Sequence, residues 1–411
     1  MVKRRQLVSL LWALGLALCT AVLLAGCDDG FSFAPREPVT IRCVFPGGTE
    51  MIEPLVEAFQ NEHKHITVEM VDSPFLFYRR AEPEEFDVAL VPPFNLEGLV
   101  EDGEIIGLSS LVTEDDDFSM DDFYQGAVDS LMIQGQPYAI PYASSMAVMV
   151  YNRDLFDKHN VPYPQVGWTW PDFLETAKSL THEDAGEYGY AYQQVGGQLG
   201  FVEPLLLVYQ HGGRMFDSLA NPSRGIVNEP LTVEAIQWYA DLIHRHRVAA
   251  PPGNRQIPYP ISGITGGKYA MWVAFIEDEY DDLNVGYAPL PRDVNQVTMG
   301  TVYGLAISSN TVDPDAAWEW LSYLSSQPPV FLMPTRRSVA ESDDFAGSLS
   351  TDAVDAARAS LPHLISLNMA PDSPMSKRFG FVTEAWATAI GKIQNGEPVQ
   401  AALDEAQRKL N

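Results

Sequence analysis

The chain has 411 residues, with 26 Lys and Arg against 55 Asp and Glu, a net charge of −29 at pH 7. That acidity argues against nucleic acid or anionic lipid as the main partner and disfavours a strongly anionic ligand. Only three cysteines are present, at positions 19, 27 and 43, too few for a disulfide framework.

Residues 1–26 read as a unit of their own. Lys3, Arg4 and Arg5 precede the apolar run Leu7–Ala25, and Leu24-Ala25-Gly26-Cys27 closes it. Small residues directly before a cysteine, after a basic and then apolar leader, predict a cleaved signal peptide with lipid on Cys27. The competing reading is an uncleaved anchor, since the run approaches the roughly 20 residues that span a bilayer. Both leave the body outside the cytoplasm. Without the leader, 23 basic residues face 55 acidic ones, a balance of −32. Cys43 is then alone in TIRCVF, expected as a small buried residue.

Residues 27–38 are polar, contain two prolines and read as a tether. The body that follows is long enough for two domains. Strands are predicted at Val39–Phe45, Ile66–Val71 and Phe86–Val91. Between the first two, Ile52, Leu55, Val56 and Phe59 recur at the helical period. Two such βα steps predict a mostly parallel sheet.

The stretch QGQPYAIPYASSMAVMVYNRDLF, 134–156, organises the rest. Gly135 and Pro137 punctuate a turn, and Ala147–Tyr151 is an apolar strand. Ser144 and Ser145 are small and polar where the chain can pass between two bodies. The plainer reading of the residues alone is a buried hairpin strand. Downstream, Thr169 and Asp172 predict a weak capping box. Helices are predicted near Thr232–His246, from Asp313 with Pro314 at its first position, and at Pro398–Leu410. Strands are predicted at Gly189–Gln193, Lys268–Phe275, Val285–Leu290 and Leu305–Ser308. No internal repeat is visible.

The string G-x-x-Y-x-x-P followed by M-V-Y-N-R-D-L-F resembles the "GKxYgiP…lyYNKdlF" pattern of extracellular solute-binding proteins. These are the receptors of ABC importers, in the sugar-binding family that includes maltose-binding protein. WTWPDFLETAKSLT (168–181), GGKYAMWV (266–273), VYGLAISSNTVDPDAAWEWLSYL (302–324), PTRRSV (334–339) and ALDEAQRKLN (402–411) are similar to further family segments, in the family's order. One departure is FLFYRRAEPEEFDVAL, which lacks the family's long helix before the third strand.

The resemblance implies an α/β fold of two discontinuous lobes, each a mostly parallel sheet flanked by helices. It implies lobe I from 39–145 plus 271–328 and lobe II from 146–270 plus 329–411. Crossings are expected near 144–148, 269–275 and 325–335.

Enzyme and metal motifs fail on inspection. Gly263-Ile-Thr-Gly-Gly-Lys-Tyr is one residue short of a P-loop and has Tyr269 where magnesium needs Ser or Thr. Glu114–Asp117 lacks the EF-hand glycine, the histidine pairs lack H-E-x-x-H, and no G-x-S-x-G elbow is present. Neither a metal nor a cofactor is expected.

Sugar recognition needs flat aromatic rings for C–H faces and fixed polar partners for hydroxyls. Candidates lie just past strand ends, where open α/β sheets bind ligands. They are Phe45, Gly48, Thr49 and Glu50; Tyr142, Ser144 and Ser145; Tyr192, Gln193 and Gln194; Trp272 and Phe275; and Tyr303, Arg336 and Phe379. The second-crossing pair follows the family's ligand-stacking aromatic, although "GxW" is replaced here by Ala274-Phe275-Ile276-Glu277. For each residue plain packing is the competing reading, and Trp168 and Trp170 are expected only to pack.

The implied function is a monomeric lipoprotein on the outer side of the cytoplasmic membrane. It captures a carbohydrate, mono- or oligosaccharide, and passes it to ABC permease subunits without catalysis. The alternatives are a receptor for a polyamine or peptide and a lipid-anchored glycoside hydrolase.

Overall fold

The computed structural model describes residues 36–45, 49–71, 86–192, 202–217, 224–250, 260–278, 280, 282–330, 332–366 and 374–411. By its contacts the chain divides into Met1–Pro38 and Val39–Asn411, and the second unit holds the fold. The expected signal peptide, Cys27 and the segment 72–85 lie outside the described residues.

The strands, in chain order, are β1 Val39–Val44, β2 Ile66–Val71, β3 Val88–Val91, β4 Met132–Ile133, β5 Gln136–Pro137, β6 Ile140–Asn152, β7 Met271–Phe275, β8 Val285–Ala288, β9 Thr298–Ile307, β10 Met333–Pro334 and β11 Leu364–Ser366. Local chemistry sets the joints between elements. Gln134 and Gly135 both have positive φ, 52° and 80°, which suits the tight β4–β5 hairpin. Asn152 ends β6 and its side chain accepts from the Leu155 amide at 3.2 Å, capping the helix Arg153–His159. Thr169 and Asp172 form the predicted capping box of the helix Trp170–Ser179. Asp313 caps Pro314–Ser325 through Ala316 N at 3.0 Å, with Pro314 in its first turn.

Helix boundaries fall close to the predicted ones, at Glu53–Glu62, Pro230–His244 and Val399–Leu410. The last buries Val399, Ala402, Leu403 and Ala406 on one stripe. The segment near 190 makes isolated parallel bridges, Tyr190 to Ala249 and Ala191 to Trp272, rather than a strand.

The main sheet runs β10-β6-β9-β3-β1-β2, with β11 beside β9 and β7 and β8 beside β6. Its pairing corrects the expectation of mostly parallel strands. β1 is parallel to β2 and β3, and β11 is parallel to β9. All the pairs of β6 and the β3–β9 pair are antiparallel. The helix Glu53–Glu62 supplies the crossover that the parallel pairing of β1 with β2 needs. The long strands β6 and β9 instead run against each other and against the strands around them, apart from β11.

Three hydrophobic clusters fill the body. One joins Phe59, Trp320, Phe45 and Cys43; burial pushes the Cys43 thiol up to about 12. A second joins Phe173, Tyr239, Trp386 and Leu403. A third, containing Met146, Trp272, Tyr269 and Phe345, draws on elements that also border the other two.

All thirteen residues of β6 are buried, and its two ends serve different clusters. Ile140, Tyr142 and Ala143 pack in the first; Ala147, Met149 and Tyr151 pack in the second. β9 does the same, from Met299 in the second cluster to Leu305 and Ile307 in the first. β7 does not. Met271 and Val273 pack with Phe173 and Tyr190, because β7 is held along the second-cluster half of β6, Ala147–Tyr151. β9 is thus the second long strand that passes between these two clusters.

Candidate functional site

β6 and β9 meet side by side at the passage between the two outer clusters. They pair from Ile140–Leu305 to Met146–Gly300, with a register shift between Pro141 and Ala143. Pro141 has no amide to give the ladder, and a bulge is where a strand tolerates that. At the far end of the pairing the backbones approach closely. A Cβ on Gly300 would lie 1.9 Å from Ser145 O, so only glycine fits there.

Polar groups gather at this passage. The Ser144 hydroxyl faces the Met333 carbonyl of β10 at 3.5 Å. The Ser145 side chain hydrogen-bonds the Glu277 carboxyl. Glu277 stands just past β7, and the preceding amide, Ile276 N, donates to Met146 O at 3.1 Å, fixing this turn against β6. The turn is closed again by Phe275 N donating to Asp278 Oδ2 at 3.2 Å. Glu277 is half-buried and its Oε2 is shielded, with no partner among the described residues. Burial raises its pKa to about 7, with Asp278 adding a like charge and Ser145 pulling the other way.

The predicted residues divide according to what holds them. Phe45 is 1% exposed and meets Tyr142 edge-on, centroids 5.9 Å apart. The Tyr142 hydroxyl is buried beside Cys43, and burial pushes its pKa up. Trp272 is 0% exposed, and its Nε1 donates to Tyr280 OH at 2.9 Å. Tyr192 is buried against Tyr239, edge-on at 6.3 Å. Phe275 and Tyr303 are half-buried, the first at the end of β7 and the second opposite Ala143. Thr49 is half-buried and Glu50 exposed in a single helical turn, Thr49–Met51.

Arg336 is engaged elsewhere. Its Nε donates to Asp122 Oδ2 at 2.6 Å, and its guanidinium lies 5.5 Å from the Phe118 and Phe123 centroids. Gly48, Gln193, Gln194 and the Phe379 side chain lie outside the described residues. The structure thus brings Ser144, Ser145, Phe275 and Tyr303 to the two strands and the turn beside them, and adds Glu277, which sequence reasoning did not single out. Its only sequence signal is an acid where the resemblance places an aromatic.

Trp168 and Trp170 pack as expected, donating to Pro289 O at 2.8 Å and Gln210 Oε1 at 2.9 Å. A cavity of about 20 Å³ near Phe173, Tyr190 and Trp238 has room for roughly one water. Among the described residues no group of three or more His, Cys, Asp or Glu side chains could hold a metal ion, and no helix is long and apolar enough to cross a membrane.

The model of the bacterial extracellular solute-binding protein family matches residues 45–329, well over half of the chain. The chain belongs to that family. The fold of this solute-binding protein is that of two-lobed periplasmic binding proteins. Its body is similar to the cyclic alpha-maltosyl-1,6-maltose binding protein of Arthrobacter globiformis, with a TM-score of 0.73 at 19% identity, covering 91% of this chain and 98% of the other. It is also similar to the sugar-binding protein MalE of Xanthomonas citri, with a TM-score of 0.72 at 18% identity, covering 90% and 96%. In sequence it is 26% identical over 241 residues to a mannitol-binding protein of Pseudomonas aeruginosa, covering 54% of this chain and 53% of that one. The chain spans about half the length of the curated relatives it matches. Family and fold are those of binding proteins.

Proposed function

We propose that this solute-binding protein is a lipid-anchored receptor that captures a neutral carbohydrate, a sugar or sugar alcohol, for an ABC permease. The observation that carries the reading is the passage of β6 beside β9, where Ser144, Ser145, Glu277, Phe275 and Tyr303 stand on or beside two strands that link the outer clusters. We place one lobe around the cluster of Phe59 and Trp320 and the other around that of Phe173 and Trp386, with crossings in β6, in β9 and near β10. Small hydroxyls, one carboxyl and half-buried rings are the mixture that polyol recognition requires: fixed partners for hydroxyls and a flat apolar surface. The named ligands of the relatives, mannitol and maltosyl sugars, support the class. The leader ending in Leu24-Ala25-Gly26-Cys27 supports the anchor.

A second reading is favoured by Glu277: a half-buried carboxyl also suits an amine-bearing solute. A thermal-shift screen against sugars, sugar alcohols, polyamines and short peptides separates the two, because a ligand of the native state alone raises its stability. A rise with sugars or sugar alcohols is the expected result. A rise with polyamines alone overturns the carbohydrate class. Turnover of chromogenic glycosides by the purified chain would overturn the receptor reading itself.

A further inference from the structure

We propose that Glu277 is a specificity-determining contact whose carboxylate receives a hydroxyl of a neutral polyol bound at the β6–β9 passage. The proposal rests on the reading of that passage as the solute site.

Three observations carry it. First, the position is built. Ile276 N on Met146 O and Phe275 N on Asp278 Oδ2 pin the turn on both sides of the residue. Second, the carboxyl is half satisfied. Ser145 hydrogen-bonds it, while Oε2 is shielded and has no partner among the described residues. A shielded acceptor without a donor is costly to leave unmade, and an incoming hydroxyl would fill it. Third, among the described residues no fixed counter-charge acts on the carboxyl. From β6 the facing group is Ser145, which does not titrate; among the described residues the one charged group acting on Glu277 is Asp278, on its own turn and of like sign. Among the described residues no basic side chain acts on the carboxyl.

The electrostatics bear on which ligand fits. Burial and Asp278 hold Glu277 near a pKa of 7, so at neutrality it is charged only about half the time. It suits a hydroxyl, which donates to the carboxylate in a charge-assisted bond stronger than a neutral one. Binding then favours the ionised form and lowers the carboxyl's pKa. Affinity must rise as pH rises through about 7, and binding near that pH must release protons.

Titration calorimetry on the purified chain with D-mannitol, maltose and spermidine tests this, at pH 5.5, 7.0 and 8.5 and in two buffers of different ionisation enthalpy. At least one polyol is expected to bind about three- to tenfold more weakly at pH 5.5 than at 8.5, tenfold corresponding to one unit of pKa change on binding. Proton release is expected at pH 7. Glu277→Gln keeps the shape and should remove both effects. If that variant does not fold, Ser145→Ala serves, since losing its hydrogen bond should move the midpoint of the profile to higher pH. A polyol bound equally at all three pH values, or a profile unchanged in these variants, overturns the proposal while leaving the carbohydrate reading intact. Binding of spermidine alone overturns the hydroxyl assignment. Binding of none of the probes defeats the solute-site reading, and the proposal falls with it.

Discussion

Arg336 reaches across the fold to Asp122: Nε donates to Oδ2 at 2.6 Å, and the Ser338 amide and hydroxyl hold the same carboxylate at 3.0 and 2.6 Å. Burial acts to raise the Asp122 pKa, but these donors outweigh it and hold the carboxyl below its usual value. The guanidinium, with Phe118 and Phe123 beneath it, ties the segment after β10 to the cluster of Phe59 and Trp320. Arg336→Ala should therefore cost about 1–3 kcal/mol of stability, the effect of losing a partly buried charged hydrogen bond. Solute affinity of the folded fraction should change less than threefold. Denaturant unfolding and calorimetry of the same variant check it; a large affinity loss at unchanged stability would return Arg336 to the solute site.

Trp272 and Phe275, three residues apart, should separate stability from binding. Trp272 is fully buried with its indole N–H on Tyr280, so Trp272→Ala should destabilise by about 3–5 kcal/mol, as large aromatic truncations in cores do. Phe275 is half-buried at the end of β7. Phe275→Ala should weaken sugar binding by about 1–3 kcal/mol with little change in the unfolding midpoint. Equal effects of the two variants on both measurements would contradict this division.

The sequence made some of this legible and hid the rest for identifiable reasons. The Thr169–Asp172 and Asp313–Pro314 helix starts were readable because capping is local, settled within four residues. β6 was readable as a strand from its unbroken apolar run. Its antiparallel pairing with β9 was not, because strand direction depends on connections far apart in sequence. Glu277 was hidden for the same reason. Within IEDEY it reads as part of a solvated acidic run, and only the fold sets Ser145 against it. The side on which the apolar run at 271–275 packs was hidden too, because partner strands decide it, and here β7 lies along Ala147–Tyr151.

His211 supplies a pH prediction away from the crossing. Its Nδ1 lies 2.5 Å from Asp293 and its Nε2 3.2 Å from Glu234, with the ring stacked on Trp170 at 5.6 Å. Partial burial lowers the imidazole pKa, but the two carboxylates outweigh it and raise it above the usual 6.5. A raised folded-state value means the stabilisation is fully present below the unfolded value and lost as pH rises through the folded one. The thermal midpoint of the wild type should exceed that of His211→Gln by more at pH 5.5 than at pH 8.5. A gap that is constant, or that widens with pH, would show that the histidine acts through packing alone.

Anchoring at Cys27 is tested by Cys27→Ala in a host that lipidates such leaders. The wild type should partition with membranes and the variant should be released or retained as the unprocessed precursor. Mass spectrometry of the mature wild-type N-terminus should find acylated cysteine. An unmodified Cys27 would remove the anchor while leaving the solute-binding body as it is.

The last prediction concerns motion between the proposed lobes. β6 and β9 both lead from the cluster of Phe59 and Trp320 to that of Phe173 and Trp386. A body linked by a few strands can bend where side chains are small and backbones are close. Ala143, Ser144, Ser145 and Ala147 line that point on β6, and Gly300 faces Ser145 O from β9. Solute touching groups from both lobes favours a closed form, and it can shift the equilibrium only by its differential affinity for open and closed states. Small-angle scattering with saturating solute should therefore give a smaller radius of gyration than without it. Gly300→Ala should press its new methyl on Ser145 O, force β6 and β9 apart, and weaken both stability and the solute-dependent compaction. Identical scattering curves with and without a solute shown by calorimetry to be bound would mean that the two clusters move as one body, and the crossing strands would then be a rigid core rather than a hinge.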